Sequence, residues 1–295
     1  MKFSAKIDDG QYMREFQNIV LTLAKLTKEC VIIMKKDKLN FIANEESGST
    51  APLVWIEINA QLYFTNYIME EKISKDDDDD DNSTIMLAIS PIHFSRALSS
   101  FKLNARNFKF KLIHLQFPCL RTETEVISQN SGESRQIVHD VPVTVIPRNE
   151  WNYYDLPQIP RTQLIINVCS NSLLRGLIDK LKNISPTLIF EANSMGELNL
   201  VAKNELTTIT TRFKKLEVKS VTTNGGGNGD DEEKEKENIE VKCSVDCKKT
   251  SLFFTALQVP TTELSCGIDD DHLIHIEIKI REGVFIHSIL PGVCV

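Results

Sequence analysis

The sequence predicts an α+β protein built from two similar halves, and three observations carry that expectation. Short alternating apolar and polar runs, the period of a half-buried strand, recur along most of the chain. Each half opens on a strand followed by an amphipathic helix and returns to a second helix after several strands. A stretch with three prolines, Pro147, Pro157 and Pro160, interrupts the pattern at the midpoint, after which it restarts. The 295 residues are 41% apolar and 25% charged, a composition that supports sizeable cores.

Lys2–Ile7 alternates and reads as a strand. Gln11–Lys28 reads as a helix, because Met13, Phe16, Ile19, Val20, Leu23 and Leu26 recur at helical spacing. Cys30–Lys35, Lys38–Ala43, Leu53–Ile58 and Ile85–Ile89 follow as strands. Ser90-Pro91 reads as an N-cap and a first-turn proline, opening a helix to about Phe101 with Phe94, Ala97, Leu98 and Phe101 inward. Strands follow at Asn107–Leu115, Cys119–Val126 and Arg135–Ile146. Beyond the proline stretch come a strand at Thr162–Val168 and a helix at Asn171–Ile184, with Leu173, Leu174, Leu177, Ile178, Leu181 and Ile184 on one side. Thr187–Glu191, Leu198–Ala202, Leu206–Phe213 and Ile239–Val245 read as strands. Asp246 caps a last helix to about Leu257, and His272–Ile280 and Val284–Leu290 finish the chain.

The halves repeat in sequence as well as in pattern. Lys25-Leu26-Thr27-Lys28, a strand, a turn and Lys38-Leu39-Asn40-Phe41-Ile42-Ala43 correspond to Lys180-Leu181-Lys182-Asn183, a strand, a turn and Glu197-Leu198-Asn199-Leu200-Val201-Ala202. Duplication is the simplest cause. The expected organisation is an N-terminal domain at 1–146, a connector at 147–161 and a C-terminal domain at 162–295.

The net charge of −7 is concentrated in two inserts. Residues 75–82 hold six consecutive aspartates, Asp76 to Asp81, and one lysine. Residues 222–238 hold a glycine-rich run, six acids and two lysines. Together the inserts carry −9, which leaves +2 for the rest. Both read as disordered, solvated loop. No run of apolar residues is long enough to span a membrane or to serve as a signal peptide. The seven cysteines are an odd number scattered over a long chain, and read as reduced thiols of a cytosolic or nuclear protein.

Signatures of enzymes are missing. The sequence has no phosphate-cradling Gly-x-x-x-x-Gly-Lys, no Gly-x-Ser-x-Gly elbow and no His-Glu-x-x-His. Cys243 and Cys247 lack a second ligand pair for a tetrahedral metal site and read as buried or half-buried thiols. Asp269-Asp270-Asp271-His272 with His275 and Glu277 allows a competing reading, a metal-dependent hydrolase or transferase. A turn followed by a strand whose alternate residues face solvent is favoured over it. No catalytic residue, metal or cofactor is expected.

The predicted helices run against the acidity of the whole. Segments 11–28, 91–106, 171–184 and 246–257 carry +2, +3, +2 and +1. At 100° per residue, Arg14, Lys25 and Lys28 fall opposite the Met13/Phe16/Leu23 stripe. Arg175 and Lys182 oppose the leucines of their helix, with Lys180 at the border. Arg96 opposes Phe94 and Leu98, Lys102 follows it, and Lys248 lies with Ser251 and Thr255, away from Phe253, with Lys249 the second cation of that helix. Four like-signed faces in an acidic chain point to a polyphosphate. Without interleaved aromatics, the contacts expected are to phosphates and independent of base sequence.

Two halves of this pattern, with basic helices on one side and a connector between them, resemble DNA sliding clamps of the PCNA type. Particular strings are similar to the Hus subunits of checkpoint clamps: Met1-Lys2-Phe3-x-Ala5-Lys6-Ile7, Asp37-Lys38-Leu39-Asn40-Phe41-Ile42, Phe117-Pro118-Cys119-Leu120, Ile137-Val138-His139-Asp140-Val141-Pro142 and Gly196-Glu197-Leu198-Asn199-Leu200. The matches span almost the whole chain outside the two inserts. The resemblance implies a clamp fold with antiparallel sheets outside and four helices on an inner, DNA-facing side. It implies a non-catalytic third of a heterotrimeric ring with two paralogous Rad-type subunits. A clamp-loader ATPase of replication-factor-C type would place the ring on double-stranded DNA, to recruit checkpoint-kinase activators and repair proteins in the nucleus and, in part, the cytoplasm. A homotrimeric replicative clamp is the alternative. The subunit interface would involve Arg135, Ile137, His139 and Val141 in one half and Leu206, Thr208, Thr210 and Arg212 in the other. Partners would dock near the connector at Pro147, Trp151, Tyr153 and Tyr154, an exposed-looking aromatic row, and the acidic inserts would lie outside the channel.

Overall fold

A computed structural model describes residues 2–43, 52–70, 84–102, 105–127, 133–168, 171–222 and 239–294. The first half contains β1 (Lys2–Ile7), α1 (Gly10–Leu26), β2 (Cys30–Met34), β3 (Lys38–Ala43), β4 (Leu53–Asn59), the single-turn α2 (Ala60–Tyr63), β5 (Asn66–Glu70), β6 (Ile85–Ile89), α3 (Pro91–Ala97), β7 (Ala105–His114), β8 (Pro118–Ile127) and β9 (Ser134–Val145). The second contains β10 (Leu164–Asn167), α4 (Asn171–Leu181), β11 (Thr187–Asn193), β12 (Glu197–Lys203), β13 (Thr208–Phe213), β14 (Val218–Val221), β15 (Glu240–Asp246), α5 (Cys247–Ala256), β16 (Glu263–Asp269), β17 (Leu273–Arg281) and β18 (Val284–Pro291). Four of these, α2, β5, β14 and β16, are not among the elements expected from sequence. Both acidic inserts lie outside the described residues, except for Thr222 at the edge of the second.

Pairing order exposes the repeat. The first half has the strips β9-β8-β7-β1-β5 and β4-β3-β2-β6, and the second has β18-β17-β16-β10-β14 and β13-β12-β11-β15. Position for position these are the same arrangement. Antiparallel pairing of β4 with β18 joins the halves, from Leu53↔Ile289 to Ile58↔Val284, and makes one sheet of fourteen strands.

Local chemistry sets the helix ends. Asp9 accepts hydrogen bonds at Oδ1 from the backbone N–H groups of Gln11 (2.6 Å) and Tyr12 (3.1 Å), capping α1. Thr27, β-branched and extended, ends it. Pro91 opens α3, while the Ser90 hydroxyl makes no capping bond; the expected helix to Phe101 tightens instead into a 3-10 turn at Leu98–Lys102. Asp246 Oδ1 accepts from the Lys249 N–H at 2.9 Å and caps α5. Gly196 turns the β11–β12 hairpin at φ +79°, where a Cβ would meet the Leu216 carbonyl oxygen at 2.3 Å.

One core runs between the helices and the inner face of the sheet through both halves. Its densest part is aromatic: Phe16 meets Phe41, Tyr63, Phe64, Phe94, Phe108 and Phe110 with ring centroids 5.5–6.4 Å apart. The α1 stripe is buried as expected. In α4, Leu174, Ile178 and Leu181 are buried, but Leu173 stays 53% exposed, because the helix turns only one narrow stripe inward.

A second, smaller cluster lies on the outer face. Val31, Ile33, Ile42, Trp55, Met86 and Ile146 are buried there, with Trp151, Tyr154 and Leu156 of the connector packed against them. The connector is not a uniformly exposed aromatic row. Trp151 and Tyr154 are half-buried, and the indole donates to the Ile146 carbonyl at 3.0 Å. Arg148 lies 5.7 Å from the Trp151 ring centroid, and only Tyr153, 78% exposed, stands free of the surface.

Candidate nucleic-acid interface

The four long helices form a single row. α3 packs on α1, α1 on α5, and α5 on α4, so the row crosses from one half into the other. Where the halves meet, the Thr22 hydroxyl of α1 accepts a hydrogen bond from the backbone N–H of Gln258, just beyond α5, at 3.0 Å. Each helix gives its apolar side to the common core, so the exposed sides face one common direction.

That exposed side carries the cations. Arg14, Lys25, Arg96, Arg175, Lys180 and Lys248 are exposed on it, and Lys28 is exposed just past α1. Lys249 and Lys182 are half-buried. Lys102 ends the 3-10 turn, and its side chain lies outside the described ones. These helices contain two acids only. Glu15 is withdrawn beneath the surface, where Arg281 Nη2 donates to its Oε1 at 2.6 Å and the guanidinium carbon sits 3.5 Å from the Tyr12 ring centroid. Asp179 of α4 is exposed, and it accepts from Lys182 Nζ at 2.5 Å and from the Ser251 hydroxyl of α5 at 3.4 Å. Those hydrogen bonds and the ammonium charge, Lys182 foremost, hold its carboxyl below the usual range.

Open backbone edges flank this layer. Among the described residues, β13 pairs with β12 alone. β9 pairs with β8 along Ser134–Pro142 and with β6 only at Val143–Val145, so its first three-quarters is open on the far side. Arg135, Thr208, Thr210 and Arg212 are exposed there, and Ile137 and His139 are half-buried. Two expected interface residues sit differently. Val141 is buried in the core, because its position in the strand alternation faces inward. Leu206 precedes β13 in a turn closed by Asn204 Oδ1, which accepts from the N–H groups of Leu206 (2.9 Å) and Thr207 (2.7 Å). It stands 94% exposed.

The Asp269–His275 constellation does not converge. His272 turns back to the Asp270 carbonyl at 2.5 Å, with Asp269 Oδ2 at 3.9 Å. His275, expected on a solvent-facing position, is buried, because its outer-face site is covered: its Nε2 lies 3.2 Å from His287 Nδ1, and both rings stack with Trp55. Among the described residues no group of three His, Cys, Asp or Glu side chains is placed to hold a metal ion. Cys243 and Cys247 are buried, and burial pushes both thiols up to about 11. No helix of the described residues is long and apolar enough to cross a membrane.

A half of nine strands and two long helices, repeated once and joined through one sheet with its helices in a single row, defines the DNA-clamp fold. Solved structures agree: the chain superposes on proliferating cell nuclear antigen from Entamoeba histolytica (TM-score 0.71, 13% identity, 99% of each chain covered) and from Thermococcus kodakaraensis (TM-score 0.67, 16% identity, 99% of this chain and 100% of that one). The Hus1-like protein family matches residues 1–294. Among curated relatives, the checkpoint protein Hus1-like of Drosophila melanogaster is 45% identical over 296 residues, covering 100% of both chains. The human checkpoint protein HUS1 is 32% identical over 294 residues, covering 99% of both. The chain belongs to the Hus1-like family of checkpoint proteins, as the strings quoted above suggested.

Proposed function

We propose that the chain is a non-catalytic subunit of a heterotrimeric checkpoint clamp that encircles double-stranded DNA in the nucleus, with some of the protein in the cytoplasm. The observation that carries this reading is the helix row, in which both halves turn their cations to one side. Phosphates are the fitting counter-charge, and contacts of this kind do not discriminate base sequence. A closed ring holds DNA by topology, so each contact can stay weak enough to slide.

The repeat supports assembly into a ring. β18 of the second half occupies the position that β9 occupies in the first, and β4 corresponds to β13. Within the chain, β18 and β4 are joined; β9 and β13 are the same two edges left open. Head-to-tail association of β9 on one subunit with β13 on the next would reproduce the internal joint between chains. Such a heterologous contact closes into a ring when the rotation permits. The neighbours we propose are two Rad-type paralogues, with a replication-factor-C-type loader and with checkpoint and repair proteins docking near the connector.

Size exclusion of the purified chain, alone and with each paralogue, tests the assembly. Partner-dependent complexes are expected; a stable trimer of the lone chain would instead favour a homotrimeric replicative clamp. Lys25→Glu with Arg175→Glu should lower retention on closed-circular DNA in a salt-sensitive manner while leaving the melting temperature in place. Unchanged retention would refute the helix-row assignment.

A further inference from the structure

We propose that Asp179 acts as a built-in brake on the DNA-facing surface, holding Lys182 in an internal ion pair and keeping the α4 end of the helix row the weaker phosphate tracker. The inference rests on the polyanion reading above and assigns its regulation to one side chain.

The argument is one of placement. Of the acids within the four long helices, Glu15 is buried against Arg281, and α3 and α5 contain none, Asp246 standing at the N-cap of α5. Asp179 is therefore the one carboxylate within the long helices that shares the exposed side with the cations, among the described residues. It is directed rather than free, lying between Lys182, the residue just past the end of α4, and Ser251 of α5. Lys182 is half-buried and sits three residues along, the spacing at which side chains on one helix meet. An ammonium occupied by a carboxylate releases fewer counterions when a phosphate arrives, and the carboxylate itself repels that phosphate. The exposed pair is cheap to break, so the brake lowers affinity without blocking contact.

The test uses the full chain, a fluorescent duplex and a salt titration of binding. Asp179→Asn keeps a hydrogen-bonding group for Ser251 and removes the charge. It should tighten binding roughly two- to fivefold near 0.1 M salt, the range an exposed ion pair is worth, and steepen the logarithmic salt slope by up to about 0.9, the value of one phosphate contact. Lys182→Ala should weaken binding clearly less than Arg175→Ala in the native background, and as much as Arg175→Ala once Asp179 is Asn. Unchanged or weaker binding by Asp179→Asn, with Lys25→Ala/Arg175→Ala still weakening it, would overturn the brake alone. Insensitivity of every variant would overturn the polyanion reading, and the brake with it. The two single lysine and arginine variants decide the matter independently if Asp179→Asn fails to fold.

Discussion

Acidification should weaken the seam between the two halves. At that seam Trp55 of β4, His287 of β18 and His275 of β17 stack on the outer face, with His287 centred 4.8 Å and His275 6.0 Å from the Trp55 ring. Both histidines are depressed to about 4: His287 by burial, and His275 by burial first and then by His287. The neighbouring charges are Glu57, 4.0 Å from His287 Nε2, and Glu277, 3.9 Å from its Nδ1. A histidine with a folded value below its unfolded one binds fewer protons when folded, so its contribution is intact above about 6.5 and is lost as pH falls towards 4. At about pH 5 the loss is about 2 kcal/mol per ring, or about 4 kcal/mol for the pair. Burial raises the Glu277 carboxyl, which works in the opposite sense and offsets part of this. Urea denaturation at about pH 7.5 and about pH 5, for the native chain and for His275→Gln/His287→Gln, measures the difference. The native chain should lose several kcal/mol on acidification and the double variant markedly less. Equal losses would refute the reasoning.

Removing half-buried Arg281 leaves the buried Glu15 carboxylate without that partner, so Arg281→Ala should cost about 1–3 kcal/mol in chemical denaturation, and the double Glu15→Ala/Arg281→Ala less than the sum of the two singles. Phe16→Ala empties the centre of the aromatic core and should cost about 3–5 kcal/mol, measured the same way. Gly196→Ala forces a Cβ against the Leu216 carbonyl at a positive φ; it should lower the melting temperature, whereas Gly176→Ala on exposed α4, where a Cβ meets nothing within 4 Å, should leave it level or raise it. Thiol labelling of the folded chain should modify Cys294 rapidly and Cys30 and Cys266 only after unfolding, since Cys294 is exposed and burial raises the other two.

The long amphipathic elements were legible because each carries its own period. Six apolar residues at helical spacing place α1, and the same residues are its buried face. The elements missed in the sequence are short or lack a period. β14 has four residues, β5 places Tyr67 and Met69 at an edge, and β16 (Glu-Leu-Ser-Cys-Gly-Ile-Asp) is interrupted by Gly267, whose missing side chain makes room for Thr162. The exposure of Arg14, Lys25, Arg96, Arg175, Lys180 and Lys248 was legible by helical angle, because an exposed helix face is a local property, whereas Lys182 and Lys249 are half-buried. Pairing is not local. Nothing in Glu15 marks a partner 266 residues away, and nothing in His275 marks His287 across a strand pair. Val141 shares its face with Ile137 and His139, and its burial depends on the core beneath that end of β9; the exposure of Leu206 depends on where β13 begins, and strand boundaries are the weakest part of any periodic reading.

The joint between the halves is held in four places: the β4–β18 ladder, the Arg281–Glu15 pair, the Thr22–Gln258 bond and the connector laid across the outer face. A chain tied so often across its middle behaves as a rigid arc with no hinge of its own. If three such arcs make a ring, a duplex can enter only where one arc ends and the next begins, and the work of opening falls on the single ladder at one of those ends.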